Sequence, residues 1–265
     1  MATPATGSFR RIVWPLAIAE TIVWAAMYYS FPALLLEWEK DLGWSKTELT
    51  GAVTISLLVS AAASPFAGRF IDRGHGRNLL VGSTVFGALC LVLLSTITQL
   101  WQFYAVWILI GLAMAGCLYD ACFAVLTRTM GASAKRAITL VTLVAGFAGT
   151  VSFPSANALA ATMGWRGALV VFAAVMVAVA APLFWSAAGR AHGNAQASLH
   201  QVGRKTEAMM RVMRSPLFWL LSICFMAMAF NHGIIINHLL PLLDERGIEH
   251  QTAVLAASMI GPMQV

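Results

Sequence analysis

Long apolar runs, separated by short polar segments, recur along most of this chain. A transmembrane helix needs about 20 mostly apolar residues. By that criterion the sequence predicts seven membrane-spanning helices, at 12–36, 47–70, 78–97, 100–127, 137–162, 167–188 and 216–243. A further apolar run, 252–265, is too short to cross the bilayer, so we expect the chain to be truncated within an eighth helix.

The composition supports a polytopic membrane protein. Of the 265 residues, 59% are hydrophobic and only 11% are charged, whereas about a quarter of a soluble domain is charged. The net charge of +6 does not indicate nucleic-acid binding, because the basic residues recur in alternate loops and form no single patch. The predicted fold class is therefore an all-α polytopic membrane protein, with the lipid bilayer as its surroundings.

The cysteines give no sign of a metal site or a disulfide framework. Cys90, Cys117, Cys122 and Cys224 all lie inside apolar runs, and their spacing fits no metal site. Buried cysteine usually behaves as a small hydrophobic residue. We therefore predict no disulfide, metal or cofactor.

Positive charge is sorted between alternate loops. Thirteen of the 17 basic residues fall in the N-terminal segment and in every second loop after it. They are Arg10, Arg11, Arg69, Arg73, Arg77, Arg128, Lys135, Arg136, Arg190, Arg204, Lys205, Arg211 and Arg214. Loops of this kind stay in the cytoplasm, so the N-terminus is predicted to be cytoplasmic, and a bacterial inner membrane is the expected location.

One long loop divides the predicted helices into two groups. Residues 1–188 would form a six-helix N-terminal bundle, 189–215 a cytoplasmic linker, and 216–265 the start of a second bundle. Within the linker, 198–213 is either a basic amphipathic helix lying on anionic lipid or a plain connector.

The segment Gly68–Arg77, which reads GRFIDRGHGR, is charged although the runs on either side are apolar. It must lie at a membrane surface, because charged side chains are costly in hydrocarbon. Gly68, Asp72, Arg73 and Arg77 resemble the signature between helices 2 and 3 of the major facilitator superfamily (MFS) of secondary transporters. The family's usual second glycine position holds His75 here, with a glycine on either side.

Other fragments resemble particular MFS branches. Gly43-Trp44-Ser45, together with Glu48 and with His238 at the end of helix 7, is similar to the monocarboxylate and oxalate/formate branches. The resemblance implies twelve helices in two six-helix bundles, of which this chain would hold the first bundle and one to two helices of the second. The remainder of that second bundle is then a missing partner from the same polypeptide.

A departure from the family pattern bears on the substrate. Many proton-coupled drug exporters carry an arginine in helix 4, four residues before a glycine, whereas here Trp107 precedes Gly111. The resemblance therefore favours a small organic anion, such as a monocarboxylate, over a drug. Apart from Arg69, at the end of the second predicted span, no Arg or Lys falls in a span, so the residues themselves give little direct support for an anion site.

Glu20 is the predicted centre of the transport pathway. An ionisable group this deep in a span must face the protein interior or a water-filled cavity. Trp24, Tyr28 and Phe31 follow at helical spacing, which predicts an aromatic cavity face with one carboxylate. Burial favours the protonated form of such a group, which suits a proton carrier. The alternative is a neutral glutamic acid hydrogen-bonded between helices.

Asp120, in helix 4, is the predicted partner of the charged loop. Its carboxylate would neutralise Arg73 or Arg77 when the cytoplasmic side is closed and release them when it opens. A static ion pair that only holds the fold is the alternative. In the same loop, Gly68 is expected to allow close helix approach, and Asp72 to need a partner from the second bundle.

Polar residues also interrupt helix 7. Asn231 and His238 are seven residues apart and share a helical face, so both are candidate substrate contacts across the cavity from helix 1. His232 points about 120° away from His238, because each residue of a helix turns 100°. We interpret His232 as an interhelical contact, and the angle argues against a joint metal site on this helix.

Together these patterns predict a secondary active transporter, a symporter if protons are coupled, that moves a small organic anion by alternating access. A drug or metabolite efflux permease of the same superfamily is the alternative. An intramembrane enzyme and a non-transporting scaffold are the competing classes. We expect no enzyme, because Glu20, Asp120, His232 and His238 belong to no catalytic motif.

Overall fold

The structure is a computed structural model that describes residues 6–192 and 212–264, with side chains described at 9–189 and 212–263. These residues are helical, and no strand occurs among them. Four helical stretches in the described residues are long and apolar enough to cross a membrane: Phe9–Leu42, Lys46–Leu94, Leu100–Gly189 and Pro216–Glu245. The two longest stretches each contain kinks that divide them into separate spans.

The helices follow one another with few connecting residues. In chain order they are α1 (Thr6–Trp24), α2 (Ser30–Leu42), α3 (Lys46–Phe70), α4 (Gly76–Leu94), α5 (Leu100–Cys117), α6 (Tyr119–Met130), α7 (Ala134–Ala145), α8 (Ala148–Val175), α9 (Ala181–His192), α10 (Pro216–Glu245), α11 (His250–Ser258) and α12 (Ile260–Gln264). π-Helical turns join α1 to α2, α3 to α4 and α8 to α9.

The predicted all-α, multi-pass fold is confirmed, and each predicted helix has a helical counterpart. Two spans are less regular than predicted. The helix expected at 100–127 breaks at Leu118, whose extended backbone (φ −88°, ψ −170°) separates α5 from α6. The helix expected at 137–162 is interrupted between α7 and α8, and its end is marked by the positive φ of Gly164.

Gly74, and not Gly68, is the glycine that shapes the charged turn between α3 and α4. Gly74 has φ +93°, a backbone conformation that other residues adopt only at a cost, so it makes the kink beside His75. The expectation that Gly68 permits close helix approach is wrong in this structure. A Cβ atom added at Gly68 would meet no atom within 4 Å.

Close helix packing occurs instead at Gly111 of α5. A Cβ atom at this position would collide with the backbone of Ser56, so α5 and α3 lie in direct backbone contact. Small residues allow this approach, and it supplies the packing energy that membrane helices cannot gain from hydrophobic burial. The helices α1–α9 are called the first bundle below. Within it, Leu16, Ala17 and Val23 of α1 are completely buried.

Side-chain contacts show which loops share an end of the molecule. At one end, Arg166 Nη1 lies 2.7 Å from Asp41 Oδ2, and its Nη2 donates to the carbonyl of Ile97 at 3.3 Å. At the other end, Arg128 donates to the carbonyl of Ile71 at 2.9 Å. We call the end with residues 37–48, 95–99 and 244–249 the acidic end, and the end with 69–77 and 128–136 the basic end.

The proposed division into a bundle, a linker and a second group stays a prediction. Most of the predicted linker 189–215 lies outside the described residues, as does most of the amphipathic helix predicted at 198–213. On the far side of that segment, α10, α11 and α12 pack against the first bundle through α2 and α8.

Candidate functional site

A cavity of about 340 Å³ lies between the first bundle and α10. Aromatic and small side chains dominate its wall. The lining residues are Trp24, Tyr28, Tyr29, Tyr119, Thr142, Leu143, Ala145, Gly146, Ala229 and His232. Ligand cavities of this kind combine apolar walls with a few polar groups, here tyrosine hydroxyls and one imidazole.

The π-helical turn at Ala25–Tyr29 brings three aromatic residues of one helix into this cavity. Trp24 packs against Tyr28 with ring centroids 5.1 Å apart, and Tyr28 packs against Tyr29 at 5.2 Å. A π turn contains one residue more than an α turn, so it rotates the rest of the helix. Phe31, predicted on the same face, is therefore carried into the core, where its ring lies 5.2 Å from that of Trp107.

Glu20 lies behind the cavity wall and does not line it. Its side chain is completely buried. Cys122 and Trp24 lie close to the carboxyl group, but neither meets the geometry of a hydrogen bond to it, so both carboxyl oxygens lack a partner among the described residues. Burying an ionised carboxyl group without a partner is costly, so Glu20 is an unusual residue at this position.

An apolar cluster closes the cavity toward the acidic end. Ile236 and Leu240 of α10 and Val254 of α11 pack there against Tyr29 and Phe153 of the first bundle. All five side chains are 5% exposed or less. This cluster is the main contact between α10–α12 and the rest of the described chain.

Polar contacts join the same elements at the acidic end. Lys46 Nζ lies 2.8 Å from Glu245 Oε1 and 3.8 Å from Glu39 Oε2, so it links the end of α10 to the first bundle. The His250 ring lies 2.9 Å from the side-chain oxygen of Asn157.

Toward the basic end, α10 separates from the first bundle. Its residues 223–231 are all exposed, and large apolar side chains such as Phe225 and Met228 are about two-thirds exposed or more. The cavity is therefore closed toward one end and bordered by an exposed helix toward the other.

This architecture agrees with a match at the level of sequence. Residues 16–265 match the family model of the Major Facilitator Superfamily, which is nearly the whole chain. The chain belongs to the Major Facilitator Superfamily. It is thus an integral, multi-pass membrane protein and a secondary transporter of small solutes. No curated protein and no solved structure matched the chain significantly.

In this MFS protein the predicted pairing of Asp120 with the charged loop is not formed. Asp120 Oδ2 accepts a hydrogen bond from Ser64 at 3.2 Å. Among the described residues it makes no ion pair with Arg73 or Arg77. The Arg77 guanidinium lies instead 3.2 Å from the ring centroid of Trp185.

Arg128 is a loop contact that the sequence analysis missed. It donates hydrogen bonds to the carbonyls of both Ile71 and Asp72, and so ties α6 to the turn between α3 and α4. The side chains of Asp72 and Arg73 are exposed. A basic residue close to the end of a predicted helix was the only signal, and it did not identify the partner.

The polar residues of α10 fall on different sides from those predicted. His232 lines the MFS cavity, whereas Asn231 and His238 are exposed and lie outside its wall. Tyr119 of α6 and Thr142 of α7 also line the cavity and were not predicted. Tyr119 follows the break at Leu118, which the sequence pattern did not indicate.

Proposed function

We propose that this MFS transporter is a proton-coupled symporter of a small organic anion, and that Glu20 carries the proton. The observation that carries the proposal is a fully buried carboxyl group, without a hydrogen-bond partner, directly behind the wall of the central cavity. An ionised side chain at this depth in the membrane is costly unless it meets water or a partner. Binding and release of a proton at Glu20 would therefore change which conformation is favoured.

The cavity offers hydrogen-bond donors for a carboxylate solute. Tyr28, Tyr29 and His232 line the same space and carry side-chain groups that can donate hydrogen bonds. Relative to the empty carrier with an ionised Glu20, a monocarboxylate and a proton together add no net charge, which supports their joint movement. We expect further recognition from helices of the second bundle.

Alternating access supplies the proposed mechanism, with two bundles rocking around the cavity. Under the positive-inside rule, the basic end is the cytoplasmic side of a bacterial inner membrane, and the N-terminus lies there. The described arrangement then corresponds to an inward-facing state. We propose that Gly68, Asp72, Arg73, Arg77 and Asp120 take part in closing the basic end when the transporter reverses.

The experiment is a proton-uptake assay in liposomes that contain the purified full chain. A panel of monocarboxylates, oxalate and formate is added outside, and internal pH is followed with a dye. We expect one or more of these solutes to cause proton entry, and Glu20→Gln to abolish it, while Glu37→Gln leaves it unchanged. Solute entry by Glu20→Gln protein with full proton entry would overturn the role of Glu20.

A second candidate is efflux of a flat aromatic or cationic compound. The observation that favours it is the wall itself, where four aromatic residues (Trp24, Tyr28, Tyr29 and Tyr119) occur and the described lining includes no Arg or Lys. Aromatic faces attract cations and stack on planar solutes. The same liposomes, loaded with a fluorescent cationic dye, distinguish the two: dye export without carboxylate-dependent proton entry supports efflux.

A further inference from the structure

We propose that the paired rings of Trp24 and Tyr119 form an aromatic gate, which separates Glu20 from the cavity and must open before Glu20 exchanges with it. The purpose of the gate, control of proton access, rests on the proposed function. Its existence as a barrier does not, because it is argued from packing alone.

The two rings pack against each other in the wall of the cavity. Their centroids are 4.6 Å apart, at an interplanar angle of 44°. Both residues line the cavity, whereas Glu20 does not. Trp24 lies one helical turn after Glu20 on α1, and Tyr119 lies three residues before Cys122, which is close to the carboxyl group. We therefore place the pair on the path from the cavity to the carboxyl group.

Neighbouring rings hold the pair closed. Tyr28 packs on the Trp24 side, and Phe123 stacks on Tyr119 with centroids 5.0 Å apart and planes nearly parallel at 12°. Aromatic pairs of this kind contribute beyond the area that they bury. Opening the gate thus requires a helix to shift, since a single rotamer change would leave the outer rings in place.

Both ring-bearing residues sit beside irregular backbone that permits such a shift. Trp24 immediately precedes the π-helical turn Ala25–Tyr29. Tyr119 immediately follows Leu118, where the extended backbone interrupts the helix. Irregular turns inside membrane helices are frequent at functional sites. Bending at these two points moves the rings apart without unfolding either helix.

The space behind the gate holds groups that report on its state. Cys117 and Cys122 are fully buried, and Cys122 lies close to the carboxyl group of Glu20. Cys122 is therefore a native probe for the opening of the gate.

The test is the labelling rate of Cys122 by a small methanethiosulfonate reagent in membranes. Cys90, Cys117 and Cys224 are first replaced by alanine. We expect slow labelling, and an increase of about tenfold or more in Trp24→Ala or Tyr119→Leu, because each tenfold step needs a change of only about 1.4 kcal/mol in the opening free energy. Trp24→Phe, which keeps a ring, should restore slow labelling. Trp101→Ala, an exposed indole elsewhere, is the control.

Rates that are equal in the parent protein, Trp24→Ala and Trp101→Ala would overturn the gate. A misfolded Trp24→Ala protein is recognised by its elution profile, and Tyr119→Leu then carries the test. Fast labelling in the Trp101→Ala control as well would also overturn it, since opening would not depend on the pair.

A proton-leak assay separates the gate from the role of Glu20. In liposomes with a pH gradient and no solute, Trp24→Ala should leak protons faster than the parent, and Trp24→Ala/Glu20→Gln should return to the parent rate. A leak that persists in the double variant contradicts Glu20 as the proton carrier. The labelling result would still support the gate in that case.

Discussion

The two ends of this transporter are held together in different ways. At the acidic end, an apolar cluster and the Lys46–Glu245 ion pair join α10 and α11 to the first bundle. At the basic end, the described contacts of the charged turn stay within the first bundle: Arg128 binds the turn itself, and Arg77 covers Trp185. α10 stands exposed on that side.

This difference indicates that the two ends have different roles in the transport cycle. Contacts within one bundle maintain its fold in every conformation, whereas contacts between bundles must break and reform in a transport cycle. The acidic end therefore holds the contacts that set the conformational equilibrium in this state. The basic end holds charged groups, such as Asp120 and Arg73, that have no mutual ion pair here and are available for the opposite state.

The largest effect is expected from a wedge in the apolar cluster at the acidic end. Ala257 of α11 is completely buried there, and overpacking of such a site costs about 1–3 kcal/mol. Ala257→Trp should therefore shift the conformational equilibrium toward a state in which the acidic end is open. A cysteine at position 254, introduced as Val254→Cys without the native cysteines, should react about tenfold faster with a thiol reagent. Ala174→Trp, at an exposed site of α8, should leave the rate unchanged.

A smaller effect is expected at the basic end, and there the affected property is thermal stability. The Arg77–Trp185 contact lies within the first bundle, so Arg77→Gln should lower thermal stability by about 0.5–2 kcal/mol, the range for cation–π contacts. Trp185→Leu should cost a similar amount, and the double variant less than the sum of the two. Thermal unfolding of the purified protein measures this coupling. Faster reaction of the Val254→Cys probe in Arg77→Gln would show that the basic-end contact also affects the acidic end, which contradicts the different roles of the two ends.

The smallest effect is expected from the ion pair at the acidic end. Lys46→Glu removes its attraction to Glu245, yet exposed ion pairs contribute little, so reaction at position 254 should rise by less than about fivefold. Lys46→Glu/Glu245→Lys restores one opposite-charge pair but leaves Glu39 beside a like charge. The reaction rate at position 254 should therefore return part of the way to that of the parent. A rate in the double variant above that of Lys46→Glu alone would contradict a stabilising role of the ion pair.

The course of the helices could be predicted from the sequence because bilayer thickness fixes their length. Apolar runs of the right length, with polar residues between them, located every span to within several residues. The sorting of charge also held in space, since loops predicted to share a side do contact one another, as Asp41 and Arg166 show.

The lining of the cavity could not be predicted in the same way. Spans that are apolar all round carry no periodicity that marks the inner face, so α10 gave no reason to prefer His232 over His238. The face of α1 was predicted with regular helical spacing, which fails beyond Tyr28 because the π turn adds a residue. The break at Leu118 likewise lies in a continuous apolar run and positions Tyr119 unexpectedly.

The most direct test of the account compares solute exchange with solute accumulation in liposomes that contain Glu20→Gln protein. Exchange of labelled for unlabelled solute needs only movement of the loaded carrier, whereas accumulation driven by a pH gradient also needs proton release. If Glu20 carries the proton, exchange persists and accumulation is lost. Uphill accumulation by Glu20→Gln protein with unchanged pH dependence would contradict it.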